Sequence, residues 1–166
     1  LQLAAVLALV GLAEKDTNKV LIVQKGALAP LVQLCLSTDN DRGLYGAARL
    51  LWHLSTAEKN KFRIASEGGF QVITLMAASL ISHIQYASAR ILLLLAEDEN
   101  LRDRILDSNL PNTLSELLCS ETDSVQYVAA NTINYLASQS PECEAFSQDR
   151  VISKLMDLVK VGNENC

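Results

Sequence analysis

A pattern that repeats every 41 to 42 residues runs through this chain of 166 residues. The segments that begin at Gly26, Gly68, Asn109 and Arg150 place their apolar residues in the same order: GALAPLVQL, GGFQVITLM, NLPNTLSEL and RVISKLMDL. In all four segments apolar residues recur three positions apart, which is a helical spacing. A repeat of this length predicts small units that bury their apolar surfaces against their neighbours.

Each repeated segment follows a short stretch with an apolar residue four positions before the segment starts: Ile22, Ile64, Ile105 and Phe146. We expect this stretch to form a short first helix, separated by a turn from a second helix. Glycine adopts positive φ most easily and asparagine is the next best residue, so Gly26, Gly68 and Asn109 are predicted to form that turn. Arg150 does not suit it, and the fourth unit is expected to turn differently.

A third helix is predicted after each second helix, because leucines and small residues align there in two further columns. The leucines are Leu12, Leu54, Leu95 and Leu136, and the smaller residues are Val6, Ala48, Ala89 and Ala130. Small side chains would let neighbouring helices approach closely. The polar links STDNDRG and CSETDS precede two of these helices, and their Asp and Ser residues are good helix N-caps.

A unit of three helices with this period resembles an armadillo repeat, and the resemblance covers nearly the whole chain. It implies an all-α fold, a right-handed α-solenoid in a single array. Residues 1–16 would be the last helix of one repeat, 17–58, 59–99 and 100–141 complete repeats, and 142–166 part of another. HEAT repeats, with two helices per unit, are the alternative, but the glycine turn after a short first helix favours armadillo. The chain is expected to be a fragment of a longer array.

One face of the third helices has the composition neither of a core nor of an ordinary surface. Positions nine, five and one before the aligned leucine share this face, because four residues make about one helical turn. In the first helix it carries Leu3, Leu7 and Gly11, and in the next three it is rich in tyrosine and arginine, which interfaces favour. With Leu94 left out, the predicted partner-binding residues are Tyr45, Arg49, His53, Tyr86, Arg90, Tyr127, Asn131 and Tyr135.

In the armadillo family the third helix lines a concave groove that holds extended peptides, so the resemblance implies that Arg90 faces a groove rather than the core. The alternative interpretation is structural: tyrosine packs with its hydroxyl in solvent, and arginine covers the ring and pairs with an acid of the next repeat. Trp52 is expected to fill a gap between repeats. His53 is either a pH-sensitive contact or a polar wall residue, and His83 is expected to face solvent.

The resemblance also argues against one kind of partner. Nuclear-import adaptors of the importin alpha type read basic peptides with a tryptophan and asparagine ladder. The corresponding tryptophan positions here are Leu7, Arg49, Arg90 and Asn131, and the asparagine positions are Gly11, His53, Leu94 and Tyr135. Arginines in these positions favour an acidic-leaning peptide instead, as in proteins similar to β-catenin.

Charge and motifs exclude several other classes. The formal net charge of −5 argues against a general nucleic-acid or anionic-membrane binder. The apolar run over residues 1–13 is shorter than the roughly 20 residues that span a bilayer. There is no GxSxG, P-loop, HExxH or glycine-rich dinucleotide turn, so no catalytic residue, metal or cofactor is predicted.

The four cysteines lack CxxC and zinc-ligand spacing. They are expected to be reduced thiols of an intracellular protein, cytoplasmic or nuclear, with Cys35 and Cys119 in the core and Cys166 exposed. The sequence therefore predicts a non-enzymatic protein-interaction scaffold. A structural spacer, weak self-association through open repeat ends, and chaperone-type client binding are the alternatives.

Overall fold

The computed structural model of the chain describes residues 2–37, 40–139, 144–147 and 149–164. These residues form α-helices and one 3₁₀ turn (Glu144–Phe146), with no strand among them. The helices are α1 Gln2–Leu12, α2 Asp16–Gln24, α3 Leu28–Ser37, α4 Asp41–Ser55, α5 Glu58–Ser66, α6 Gly69–Ala77, α7 Ser82–Ala96, α8 Glu99–Leu106, α9 Leu110–Leu118, α10 Asp123–Gln139 and α11 Asp149–Glu164. The all-α fold predicted from the sequence is confirmed.

The helices fall into groups of two short helices followed by a longer one: α2–α4, α5–α7 and α8–α10. The longer helices form one layer, in which α1, α4, α7 and α10 each pack against the next. The middle helices form a second layer, in which α3 packs against α6, α6 against α9 and α9 against α11. Repeating units that contact only their neighbours in this way make an α-solenoid.

A single apolar cluster runs between the two layers from Val6 in α1 to Val151 in α11. Of the predicted small residues, Val6, Ala48 and Ala89 lie within it, and Ala130 packs against it half-buried. Close approach of α1 and α4 is allowed by another small residue, Gly46, where a Cβ would lie 3.4 Å from side-chain atoms of Leu3 and Val6.

The turn between first and second helices follows the sequence prediction in two of its three positions. Gly26 and Gly68 have φ of 83° and 95°. The prediction for Asn109 is wrong, since its φ is −80°. Ser108 supports the turn instead, because its hydroxyl donates to the Ile105 carbonyl and accepts from the Leu110 amide. These two hydrogen bonds stabilise the turn, so no residue in it has to adopt the unfavourable left-handed conformation. In the fourth unit Arg150 already lies inside α11, and the segment before that helix falls partly outside the described residues.

A second glycine in the same turn is required by space rather than by φ. Gly69 begins α6, and a Cβ there would lie 2.4 Å from the carbonyl oxygen and 2.8 Å from the Cγ2 atom of Ile64 in α5. Atoms cannot approach that closely without moving the backbone. Gly69 therefore allows α6 to leave α5 at its observed angle.

The cysteine predictions hold in part. Cys35 is buried and free, and burial raises the pKa of its thiol to about 12. The prediction that Cys119 belongs to the core is wrong, because it is exposed and follows the last residue of α9, where the chain leaves the core. Cys143 and Cys166 lie outside the described residues.

Within the described residues, no single helix has both the length and the apolar composition needed to cross a bilayer. The pair α2 and α3 meets that test only when the two helices are taken together, and they are bent by 82°.

Candidate partner-binding face

The eight predicted residues share one face of α4, α7 and α10, which lie side by side. We call Tyr45, Arg49, His53, Tyr86, Arg90, Tyr127, Asn131 and Tyr135 the polar face. None of them is fully buried, and their exposure ranges up to 69% for Tyr127. The leucines on the opposite side of these helices, such as Leu51 and Leu92, are buried. The helices are therefore amphipathic, and this face is not part of the core.

On α4, Arg49 folds back along its own helix. Its guanidinium carbon lies 5.9 Å from the centroid of the Tyr45 ring, one turn earlier. The Tyr45 ring meets His83 of α7 edge-on at 6.1 Å. Tyr45 and the exposed His83 therefore connect two neighbouring repeats at this end of the face.

Between α4 and α7, three side chains form a stack that we call the Trp52 cluster: Trp52, Tyr86 and Arg90. Trp52 is half-buried against the core and meets the Tyr86 ring edge-on at 5.8 Å. The guanidinium carbon of Arg90 lies 5.9 Å from the centroid of the Trp52 ring. Trp52 does lie between repeats, as predicted, but it also supports the charge of Arg90 through a cation–π contact.

The two arginines of the polar face have no counter-ion within the part of the chain that the structure describes. Neither lies within 4.0 Å of a carboxylate among the described residues, whereas Arg63 pairs with Glu67 at 2.7 Å. The structural interpretation expected each arginine to cover an aromatic ring and to pair with an acid. The ring contacts are present, but among the described residues the ion pairs are not. The described residues therefore leave two positive charges without a carboxylate partner on a face that solvent reaches.

Arg90 also has an unpaired donor. Its Nε atom is buried and has no hydrogen-bond partner in the described part of the chain. Leaving a buried donor unpaired costs about 1–3 kcal/mol of stability. Arg90 is therefore a poor choice for packing alone.

His53 follows the two arginines on the same face. Burial is the main cause that lowers the pKa of His53, and the positive charges of Arg49 and Lys19 lower it further, against an opposing effect of Glu14. The imidazole is therefore neutral at pH 7.

On α10, the side chain of Tyr135 already contacts another residue of the chain. Its hydroxyl accepts a hydrogen bond of 3.0 Å from Nη2 of Arg102, whose guanidinium carbon lies 5.3 Å from the ring centroid. Arg102 comes from α8, so this contact joins a first helix to the third helix of the same repeat. Tyr127 and Asn131 continue the polar face on α10, but no ring contact joins them to α7 in the chain as described.

Sequence reasoning missed two partners of this face. Arg102 could not be found from the sequence, because its contact with Tyr135 spans 33 residues. The signal for Trp52 was available, since it lies three residues after Arg49 and so borders the same helical face. No group of three or more histidine, cysteine or acidic side chains within the described ranges is placed to hold a metal ion.

Comparison with known proteins bears on the repeat unit itself. A family model described as an armadillo/beta-catenin-like repeat matches residues 15–56, which contain α2, α3 and α4. These residues are thus similar to one armadillo repeat. Armadillo repeats mediate protein–protein binding on a scaffold fold that is generally not enzymatic. No curated protein matches the chain in a sequence comparison.

Two solved structures share the solenoid. Both are described as engineered proteins from the Northeast Structural Genomics Consortium. One is 25% identical with a TM-score of 0.76, and the other is 21% identical with a TM-score of 0.75. Each alignment covers 92% of this chain, but only 61% of the first engineered protein and 71% of the second. This chain thus spans less than two thirds of the length of the first engineered protein.

Proposed function

We propose that this chain is a non-enzymatic adaptor that binds an extended, acidic-leaning peptide segment of a partner protein along the polar face. The observation that carries the proposal is the pair of arginines, Arg49 and Arg90, which lie on adjacent helices and have no carboxylate partner among the described residues. Guanidinium groups bind carboxylates through strong charge-assisted hydrogen bonds.

Three further features support a peptide rather than a small molecule. The polar face extends over three stacked helices, so it offers contacts in a row. Tyr45 and Tyr127, at 37% and 69% exposure, offer stiff aromatic surface to a ligand backbone. The armadillo family binds proteins, and in that family the third helices line the peptide-binding groove.

The proposal is tested with peptides selected from a random display library on the wild-type chain. Affinity is then measured by fluorescence anisotropy for wild type and for Arg49→Glu/Arg90→Glu. We expect the double variant to lose about a hundredfold or more in affinity, because two attractive contacts become repulsive. Binding should also weaken as salt rises, since these charges are solvent-accessible.

The matched control is Lys25→Glu/Arg150→Glu, which makes the same change in net charge. Both control residues are exposed, and neither lies on a third helix. Circular dichroism confirms that each variant is folded. If the folded Arg49→Glu/Arg90→Glu variant binds the peptides as tightly as the control does, the proposed face is the wrong one.

A second candidate function is self-association. It is favoured by α11, whose exposed apolar residues Ile152, Met156 and Val159 lie on one side of the helix. Light scattering over a concentration series tests it, and Met156→Lys should abolish any dimer. A monomer at all concentrations would contradict this candidate.

A further inference from the structure

We propose that Arg90 is the specificity-determining residue of the polar face and that it selects a side-chain carboxylate in the bound peptide. Trp52 and Tyr86 act as positioning residues that hold its guanidinium. This inference rests on the proposed function, because it assigns a role within the same face.

The two arginines differ in how they are held. Arg49 leans on Tyr45 of its own helix, and that ring is itself exposed. Arg90 instead reaches from α7 to Trp52 on α4, a ring that packs against the core and is fixed by Tyr86. A guanidinium held between two repeats loses less conformational freedom when a ligand binds. Arg49 adds positive field, whereas Arg90 offers a defined geometry.

The buried Nε atom of Arg90 fixes which donors a ligand can reach. With Nε covered, the terminal amino groups remain, and their N–H bonds form a planar fork that matches the two oxygens of a carboxylate. Lysine carries the same charge but cannot reproduce a fork. A carboxamide of the same shape as the carboxylate lacks the charge and offers only one acceptor oxygen.

Arginine is a costly residue for packing alone at this position. Among the described residues its Nε donor has no hydrogen-bond partner and its charge has no counter-ion, and an apolar side chain could also cover the Trp52 ring that its guanidinium contacts. The same position in α1 is occupied by Leu7. An arginine that contributes to binding alone should therefore be replaceable by leucine without loss of stability.

The experiment uses Arg90→Leu and Arg90→Lys with peptides that display selects on the wild-type chain. In each peptide the acidic residues are changed one at a time, Glu to Gln and Asp to Asn. We expect Arg90→Leu and Arg90→Lys each to weaken binding by about ten- to a hundredfold, the range for a hydrogen bond to a charged group. In each peptide, one acid-to-amide change should weaken binding to wild type by a similar factor. The same change should leave the affinity for Arg90→Leu unaffected.

Two further measurements separate this role from a structural one. The urea midpoint of Arg90→Leu should equal or exceed that of wild type. Trp52 is the single tryptophan of the chain, so its emission reports the cluster directly. The acidic peptide should change that emission, and the amide peptide should not.

The matched control is Arg104→Leu. Arg104 also lies over aromatic rings, at 5.3 Å from Phe62 and 5.8 Å from Phe70, and forms no ion pair within the described residues, but it belongs to α8. Arg104→Leu should leave peptide affinity unchanged. If it weakens binding as much as Arg90→Leu does, the loss is a general effect of charge and the inference falls.

The outcomes distinguish this inference from the proposed function. If Arg49→Glu/Arg90→Glu abolishes binding but Arg90→Leu costs no more than Arg49→Leu, the face binds peptides and the selective role of Arg90 is refuted. If Arg90→Leu lowers the urea midpoint and leaves affinity unchanged, Arg90 is structural. If the double variant binds normally, both proposals fail together.

Discussion

Gly69→Ala should be one of the most damaging single-methyl additions in this chain. The added Cβ would lie 2.4 Å from the carbonyl oxygen of Ile64, and it must retreat by about 0.6 Å to reach the 3.0 Å limit of real contacts. The nearest obstacle is backbone, so relief requires α5 and α6 to shift against each other. Overpacking of this kind costs about 1–3 kcal/mol in the free energy of unfolding.

The same substitution at Gly11 provides the control, because nothing lies within 4 Å of a Cβ there. Gly11 is in α1, so alanine should gain about 0.5–1 kcal/mol from helix propensity. Urea unfolding followed by circular dichroism should thus move in opposite directions for the two variants, with Gly69→Ala about 1 M lower in midpoint. If Gly69→Ala unfolds within about 0.3 M of wild type with an unchanged slope, the tight α5–α6 turn is not a constraint on the fold.

Three other predictions follow from single contacts. Asn60→Ala should cost about 2–3 kcal/mol, because the buried Asn60 amide donates at 3.0 Å to two backbone carbonyls of the preceding repeat, those of Lys19 and Leu54. Asn18→Ala, which removes one exposed hydrogen bond, should cost less than half of that. The pKa of His53 is lowered in the folded protein, so protonation favours the unfolded chain. The free energy of unfolding should therefore fall as the pH drops below 6.5, the ordinary pKa of histidine. Urea titrations at about pH 7.5 and about pH 5 should show a smaller fall for His53→Asn than for wild type. Tyr135→Phe should cost about 0.5–1.5 kcal/mol in thermal or urea unfolding, since it removes the acceptor for Arg102 but keeps the ring.

The fold was predictable because the same constraint occurs four times. A single apolar run such as GALAPLVQL could be a strand or a helix, but four runs in the same register define the period and the number of helices in each unit. Glycine at the first turn was equally readable, since Gly26 and Gly68 both need positive φ. The error at Asn109 arose because asparagine only tolerates that conformation, and the hydroxyl of Ser108 offered a less costly turn.

For the candidate face, the sequence predicts only which side of each helix its residues lie on. An offset of four residues places Tyr86 and Arg90 on one side of α7 whatever their neighbours are. It does not predict that Arg90 contacts Trp52 or that Arg102 donates a hydrogen bond to Tyr135. Those contacts depend on the distances and angles between packed helices. The wrong prediction for Cys119 has a separate cause. Cys119 follows an apolar run, but it lies one residue beyond the end of α9, and the apolar pattern does not fix where a helix ends.

The separation between stabilising groups and the proposed binding groups has a physical origin in the solenoid. Hydrogen bonds that join repeats use side chains away from the polar face, such as the Asn60 amide and the Arg63 guanidinium, which donates to the Val23 carbonyl at 2.9 Å. These hydrogen bonds and the continuous core stabilise the array, and Arg90 adds a cation–π contact between α7 and α4. The polar face is then free to carry unpaired charge, at a cost of a few kcal/mol that the core can offset. An extended array can display such charges in a row along adjacent helices. That row, rather than any single pocket, is what an extended acidic ligand would recognise.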